Sequence, residues 1–243
     1  MGDPTAVVGQ ACRAGTRCLR WDRGDGGHEP KGRCVQPSFD ERAETWDDDP
    51  AKVERARQVA AIIGETLPLG PDVRLLEYGA GTGLVTEALR GAVGPVTLAD
   101  TSAGMRAVME RKVAAGTLGG ARIWDLDLST AAPPSETFDL IVAVMTLHHI
   151  PELGPVLSAF AALLDEGGRL CVVDLDEEDG SFHGGDFHGH RGFRRQEFAT
   201  LLSDAGFEHV GFRACGRVDR GGADYPLFLA IAARGASDPV ARL

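Results

Sequence analysis

The chain lacks any uninterrupted apolar run near the roughly 18–20 residues that a bilayer-spanning helix needs, so no transmembrane segment is expected. Its opening, MGDPTAVVGQACRAG, has no basic head followed by an apolar stretch, and no secretory leader is expected. Ala6 stands where N-myristoylation wants Ser or Thr. Positive charge is in deficit: 25 Lys and Arg face 36 Asp and Glu, for a net charge of −11. A nucleic-acid backbone calls for a basic patch, so no nucleic-acid partner is expected. A paired cysteine framework is missing too, because the five Cys are odd in number, with Cys12, Cys18 and Cys34 early and Cys171 and Cys215 late. A reducing, cytoplasmic setting follows as the expectation, with Cys171 in the run LCVVDL a buried thiol. What remains, 43% hydrophobic and 25% charged residues, suits a packed soluble globule and not a disordered chain.

Residues 1–37 are rich in Gly, Arg and Asp and show no sustained period, which predicts a flexible extension. Cys12, Cys18, His28 and Cys34 could supply four metal ligands, but their spacing fits no common zinc pattern. A second unit is expected over 38–243. Asp49-Pro50 is a helix start, with Asp as N-cap and Pro at the first helical position. Val53, Ala56, Val59, Ala60, Ile63 and Leu67 follow at helical spacing until Pro68. Apolar strands then read at 73–78, 96–99, 121–124, 138–144 and 169–175. Helical stretches at 83–90, 102–115 and 152–164 connect them, and a short irregular segment, 127–137, precedes the fourth strand. Strands joined by crossovers predict an α/β fold: a Rossmann-like, doubly wound, mostly parallel sheet with helices on both faces. A helix at 194–205 and strands at 207–214 and 225–232 close the chain, the two strands as an antiparallel edge pair joined by a polar, Gly-rich loop.

The most informative segment is Leu75-Leu76-Glu77-Tyr78-Gly79-Ala80-Gly81-Thr82-Gly83-Leu84, a buried strand running into a glycine turn that opens a helix. In an open parallel sheet the ligand crevice lies beyond the carboxyl ends of the strands, where this loop sits. The dinucleotide pattern G-x-G-x-x-G wants its third Gly at 84, but 84 is Leu and the third Gly is Gly83. A nicotinamide-dependent oxidoreductase is therefore the weaker reading. The next strand ends in Leu98-Ala99-Asp100, which places a carboxylate to accept hydrogen bonds from both hydroxyls of a ribose. The competing role for Asp100, capping the next helix, is shared with Thr101 and Ser102.

With these motifs the sequence resembles the class I S-adenosylmethionine-dependent methyltransferases over roughly residues 39–232. Glu77, Gly79, Gly81 and Gly83, with Ala80 between, resemble that family's first motif. Asp100 and Thr101 resemble the ribose-binding position, and Met105 the residue packed on adenine. Asp127-Leu128 resembles the adenine-reading acid and its neighbour, and 138–150, including Val144, the fourth motif. The resemblance implies a seven-stranded sheet with its last strand antiparallel, S-adenosylmethionine as cofactor and methyl transfer as activity. A narrower likeness, to a bacterial small-molecule branch, runs through Phe39-Asp40-x-x-Ala43-x-x-Trp46-Asp47, then 176–183, then His190-x-Gly192-Phe193. A module that binds the cofactor without transferring its methyl group is the alternative.

Methyl transfer is an in-line displacement, so positioning dominates, and a base is needed only where the nucleophile carries a proton. The candidates follow strands four and five. His183 is the first expectation for the catalytic residue and His149 the second. His148 and His190 are expected to contact substrate, as is Trp46, which precedes the first long helix. Side-chain alternation after strand four predicts that one of His148 and His149 faces the cleft while the other packs. The loop 174–192 is long, carries His183, His188 and His190, and reads as a lid or as a solvated connector. No ligand spacing among His183, Asp186, His188 and His190 matches a known metal mechanism, so no metal is assigned. The D/N-P-P-Y signature of amino-methylating enzymes is absent, the place reading Val144-Met145-Thr146-Leu147. The expected partner is a small-molecule substrate, with no nucleic acid and no membrane; oligomeric state is open.

Overall fold

The computed structural model describes residues 38–185 and 187–235. The expected extension 1–37, with its cysteines and His28, lies outside the described residues, as does Asp186. A short helix α1 (Phe39–Arg42) and a 3-10 helix (Ala43–Asp48) lead into helix α2 (Pro50–Thr66). Then follow β1 (Leu75–Tyr78), α3 (Leu84–Ala88), β2 (Val96–Ala99), α4 (Ala103–Ala114), β3 (Arg122–Trp124) and β4 (Phe138–Val144). A second 3-10 turn (Leu147–His149), α5 (Leu153–Leu163), β5 (Leu164–Leu175), α6 (Arg195–Asp204), β6 (Phe207–Arg220) and β7 (Ala223–Arg234) complete the order.

The seven strands form one sheet in the order β3-β2-β1-β4-β5-β7-β6. β1 to β5 run parallel, and β7 runs antiparallel to both β5 and β6. β1 is buried along all of its length because helices cover both faces, as a parallel sheet requires. On one face Phe138, Phe160, Phe198 and Phe228 pack among α5, α6 and the sheet. On the other, Val59 and Ile63 of α2 meet Val85 of α3, Leu140 and Cys171. Cys171 is wholly buried, and that burial pushes its thiol up to about 12. The order reverses between β1 and β4, which opens a crevice at the carboxyl ends of those strands.

Local signals set the element ends. Asp49 accepts the Ala51 N–H at 2.9 Å and Pro50 opens α2. Ser102 caps α4, accepting the Met105 N–H at 3.2 Å, so capping does not fall to Asp100. The terminal hairpin differs from expectation. Its strands extend to a two-residue turn at Gly221-Gly222, whose φ of +68° and +84° match a tight hairpin. Residues 215–224 read as loop because β6 is an exposed, polar edge strand with little apolar alternation. Among the described residues, no helix is long and apolar enough to cross a membrane.

The α1 segment is bound to α4. Asp40 Oδ1 accepts from Ser102 Oγ at 2.5 Å and from the Gly104 N–H at 2.8 Å. A Cβ at Gly104 would lie 2.9 Å from both Cα and O of Asp40 and 3.2 Å from the Ala43 Cβ, so only glycine allows this approach. Gly104→Ala is therefore predicted to destabilise the protein by about 1–3 kcal/mol, the usual range for overpacking, read as a lowered urea midpoint at unchanged m-value.

Candidate active site

The glycine turn follows β1. The Gly79 and Ala80 N–H groups donate to the Ala99 carbonyl at 2.8 and 3.0 Å, which sews the turn to the tip of β2. Gly79, Gly81 and Gly83 all have positive φ, at +66°, +57° and +80°. Their surroundings differ. A Cβ on Gly79 would overlap the Thr146 side chain, and one on Gly83 would press on Leu118 at 3.1 Å. At Gly81 the nearest atom is Trp46 Nε1, 3.8 Å away, so this glycine faces open space roofed by the indole. Gly83 thus serves helix packing, while Gly81 leaves room for a ligand against the main chain.

Asp100 leans over that space. Its Oδ2 accepts the Gly81 N–H at 2.7 Å and its Oδ1 accepts the Ser102 N–H at 2.8 Å. Burial, only partly offset by these two donors, holds the carboxyl above its usual range. Thr101 beside it is exposed. Glu77 is 3% exposed, and its Oε2 accepts from the Thr86 N–H at 3.0 Å and Thr86 Oγ1 at 2.6 Å. Its hydrogen bonds therefore brace the start of α3. Met105 is fully buried at the start of α4. The Asp127 carboxylate is turned onto Ser129, accepting from its N–H at 2.9 Å and its hydroxyl at 2.5 Å. The buried Leu128 donates its N–H to the Tyr78 hydroxyl at 3.1 Å. Val144, half-buried, ends β4 beside the Thr146 turn, and Met145 there holds a φ of +54°.

The 3-10 helix Ala43–Asp48 straps the crevice. Thr82 Oγ1 donates to Asp47 Oδ1 at 2.5 Å, and Lys112 reaches Asp47 Oδ2 at 2.6 Å. Trp46 lies 5.9 Å from the Phe39 ring, with Lys52 Nζ 3.8 Å over its face. Phe39 then meets His149 edge-on at 5.2 Å, so one strap spans the glycine loop and the histidines.

Of those histidines His148 is buried and His149 half-buried. His148 and His149 end a 3-10 turn, not an extended strand, and their rings lie 4.1 Å apart. One ring nitrogen from each of His148, His149 and His183 falls within 4.8 Å of the others. Asp174 makes the arrangement. Wholly buried at the end of β5, it binds His148 Nδ1 at 2.6 Å and accepts the His148 and Leu175 N–H groups at 3.2 and 2.8 Å. The bond to Asp174 places the proton of His148 on Nδ1 and presents Nε2 as a lone pair. His183 is stacked on Phe187 at 3.8 Å. Burial is the largest cause holding His149 down to about 3 and His183 to about 4; the charges of Arg42 and Arg220 push the same way. Both rings are therefore neutral at physiological pH.

The loop 174–192 is tied at its neck. The Glu177 and Glu178 N–H groups donate to Phe193 and Arg191 carbonyls, and Arg195 grips Asp176 with two bonds of 2.7 and 2.8 Å. His190 lies at this neck and not with the trio. Its N–H donates to the His148 carbonyl at 2.7 Å and its ring sits 5.1 Å from Phe193. His188 is exposed. Sequence reasoning missed Asp174 as the partner of His148; the available signal was a lone acid in the apolar run Leu170-Cys171-Val172-Val173-Asp174-Leu175 that ends a buried strand.

Against this geometry, a family model described as a methyltransferase domain matches residues 50–210, and the chain belongs to that family. It is 30% identical over 153 residues to an uncharacterized methyltransferase of Schizosaccharomyces pombe, covering 56% of this chain and 54% of that one. It is 31% identical over 115 residues to the ubiquinone/menaquinone biosynthesis C-methyltransferase of Teredinibacter turnerae, 46% of each. The chain thus spans about half the length of the curated relatives it matches. A solved S-adenosylmethionine-dependent methyltransferase from Aquifex aeolicus shares the fold at a TM-score of 0.60 and 19% identity, over 80% of this chain and 98% of that one.

Glu77 yields a test of the loop. Its carboxyl is raised by burial from an ordinary 4.5 to about 7. The folded chain then keeps a proton that the unfolded chain has lost, so this group's contribution to stability is full below 4.5 and falls as pH rises to about 7. Glu77→Gln keeps an acceptor for Thr86 without that dependence. The variant is predicted to gain on the unsubstituted protein by about 3 kcal/mol between pH 5 and pH 8, compared by urea unfolding at each pH.

Proposed function

We propose that this chain transfers a methyl group from S-adenosylmethionine to a small-molecule acceptor. The observation that carries the reading is the clamp of Asp100 on Gly81 beneath Trp46, on a methyltransferase-family sheet. The donor set fits the nucleoside. Gly81 offers main chain unobstructed by a side chain, and Asp100, held by two N–H donors, has lone pairs left for a ribose diol. Asp127 and Leu128 stand at the tip of β3, where an adenine edge would lie, though Asp127 must release Ser129 to reach it. The bound cofactor supplies an electrophilic methyl group on a sulfonium.

The chain's own task is then to orient and to exclude water. Trp46 and Phe39 close the crevice from above, and Thr82 with Asp47 pins them down. His183 and His149, joined by His148, face the acceptor with neutral imidazoles. His148 is the one whose tautomer is fixed, through Asp174, and the lone pair on its Nε2 can accept a hydrogen bond or a proton. Cofactor, nucleophile and carbon held in line by such a frame account for up to about 7–11 kcal/mol of barrier lowering.

Two measurements test this reading. Asp100→Asn is predicted to weaken S-adenosylhomocysteine binding at least tenfold by calorimetry, since each lost charge-assisted hydrogen bond is worth about 1.5–3 kcal/mol. Undiminished affinity would contradict the assignment of the crevice. Incubation of the protein with methyl-labelled cofactor and a metabolite extract is predicted to give a small product one methyl group heavier. Cofactor binding with no labelled product would make the chain a binding module.

A further inference from the structure

The histidine trio has a feature that a proton acceptor alone does not call for. One ring nitrogen from each of His148, His149 and His183 converges within 4.8 Å. His148 is 1% exposed, and with Nδ1 engaged by Asp174, its buried Nε2 has no hydrogen-bond partner among the described residues. A buried lone pair without a partner is costly unless something occupies it. A carboxylate behind a histidine, fixing tautomer and ring angle, is also the outer support that metal-ligating imidazoles use.

We propose that His148, His149 and His183 hold one divalent transition-metal ion of the zinc type, with a further position open toward an anionic oxygen of the methyl acceptor. Three imidazoles without a carboxylate ligand suit zinc, iron or copper, and disfavour calcium and magnesium. Three protein ligands with one open position is the arrangement of a reactive site, not of a structural one. Bonds of about 2.0–2.1 Å set ligand nitrogens about 3.4 Å apart in a tetrahedron, so the trio closes by roughly an ångström. His149 ends a short 3-10 turn and His183 sits in the 174–192 loop, and both can rotate inward while His148 stays anchored.

Charge points to the kind of acceptor. Arg42 lies 4.7 Å over the Phe39 ring that meets His149, and Arg220 lies 4.8 Å over the Phe182 ring that meets His183 edge-on at 4.9 Å. Their field opposes a bare dication and favours one that carries an anionic ligand, such as a carboxylate, an enolate or a phenolate oxygen. The acceptor's role at the open position rests on the methyltransferase reading; the ion's binding to the trio does not.

The test uses the full-length protein, stripped by EDTA and returned to chelator-free buffer. Calorimetric titration with Zn2+ is expected to show one equivalent bound, and Co2+ is expected to give visible bands without thiolate charge transfer in the near ultraviolet. That spectrum separates this trio from Cys12, Cys18 and Cys34. His183→Ala and His149→Ala are expected to abolish stoichiometric uptake, and Asp174→Asn to weaken it about 10–100-fold. S-adenosylhomocysteine binding, measured on the same samples, reports that each variant is folded. No stoichiometric ion, uptake unchanged in the folded histidine variants, or a thiolate spectrum would overturn the proposal. Ion uptake without S-adenosylhomocysteine binding would leave the metal site standing and remove the methyltransferase reading.

Discussion

A single carboxylate joins the parts of the crevice. Asp100, at the tip of β2, accepts one N–H from the glycine turn after β1 and another from the start of α4. It is the one side chain that joins the glycine turn directly to the start of α4 among the described residues; the turn's other bonds run to the Ala99 carbonyl, to Asp47 and to Thr146. The helix start that Asp100 steadies is also the surface to which Asp40 binds the α1 segment. The strap, its tryptophan and the glycine turn thus share one anchor. Burial raises the energy of the ionised carboxylate, which two N–H donors only partly relieve. Hydroxyl donors from a ligand would complete that relief.

The opposite wall is built on a second buried acid. Asp174 takes three hydrogen bonds from His148 and Leu175, so the backbone after β4 and the end of β5 are locked to each other. The 189–190 segment then closes behind His148, with no room for a side chain at Gly189. The outcome is a rigid imidazole with two more imidazoles against it on less regular chain. One wall therefore recognises a nucleoside by hydrogen bonding, while the other presents lone pairs under a positive field. A methyl donor and an electron-rich acceptor need that division.

The alternation of short apolar strands with helical stretches carried the fold, because each parallel strand is buried on both faces and each connecting helix on one. Strands 96–99 and 138–144 agree with the structure at both ends. Asp49-Pro50 did the same for α2, since a cap and its helix are neighbours in sequence. Contacts between distant residues left no such mark. The bonds of Asp40 to Ser102, Thr82 to Asp47 and His148 to Asp174 join residues 62, 35 and 26 apart. One of His148 and His149 packs, His148 at 1% exposure, while His149 is half-buried; the backbone that carries them is a 3-10 turn and not a continued strand. The grouping of His183 with two residues that follow β4 likewise joins segments distant in sequence.

The account is tested most directly by hydrogen exchange of the full-length protein with and without S-adenosylhomocysteine. It predicts slowed exchange in three separate segments, at 79–83, 100–106 and the 39–48 strap, with little change in β6 and β7. Protection confined to other segments, or none at saturating ligand, would contradict it.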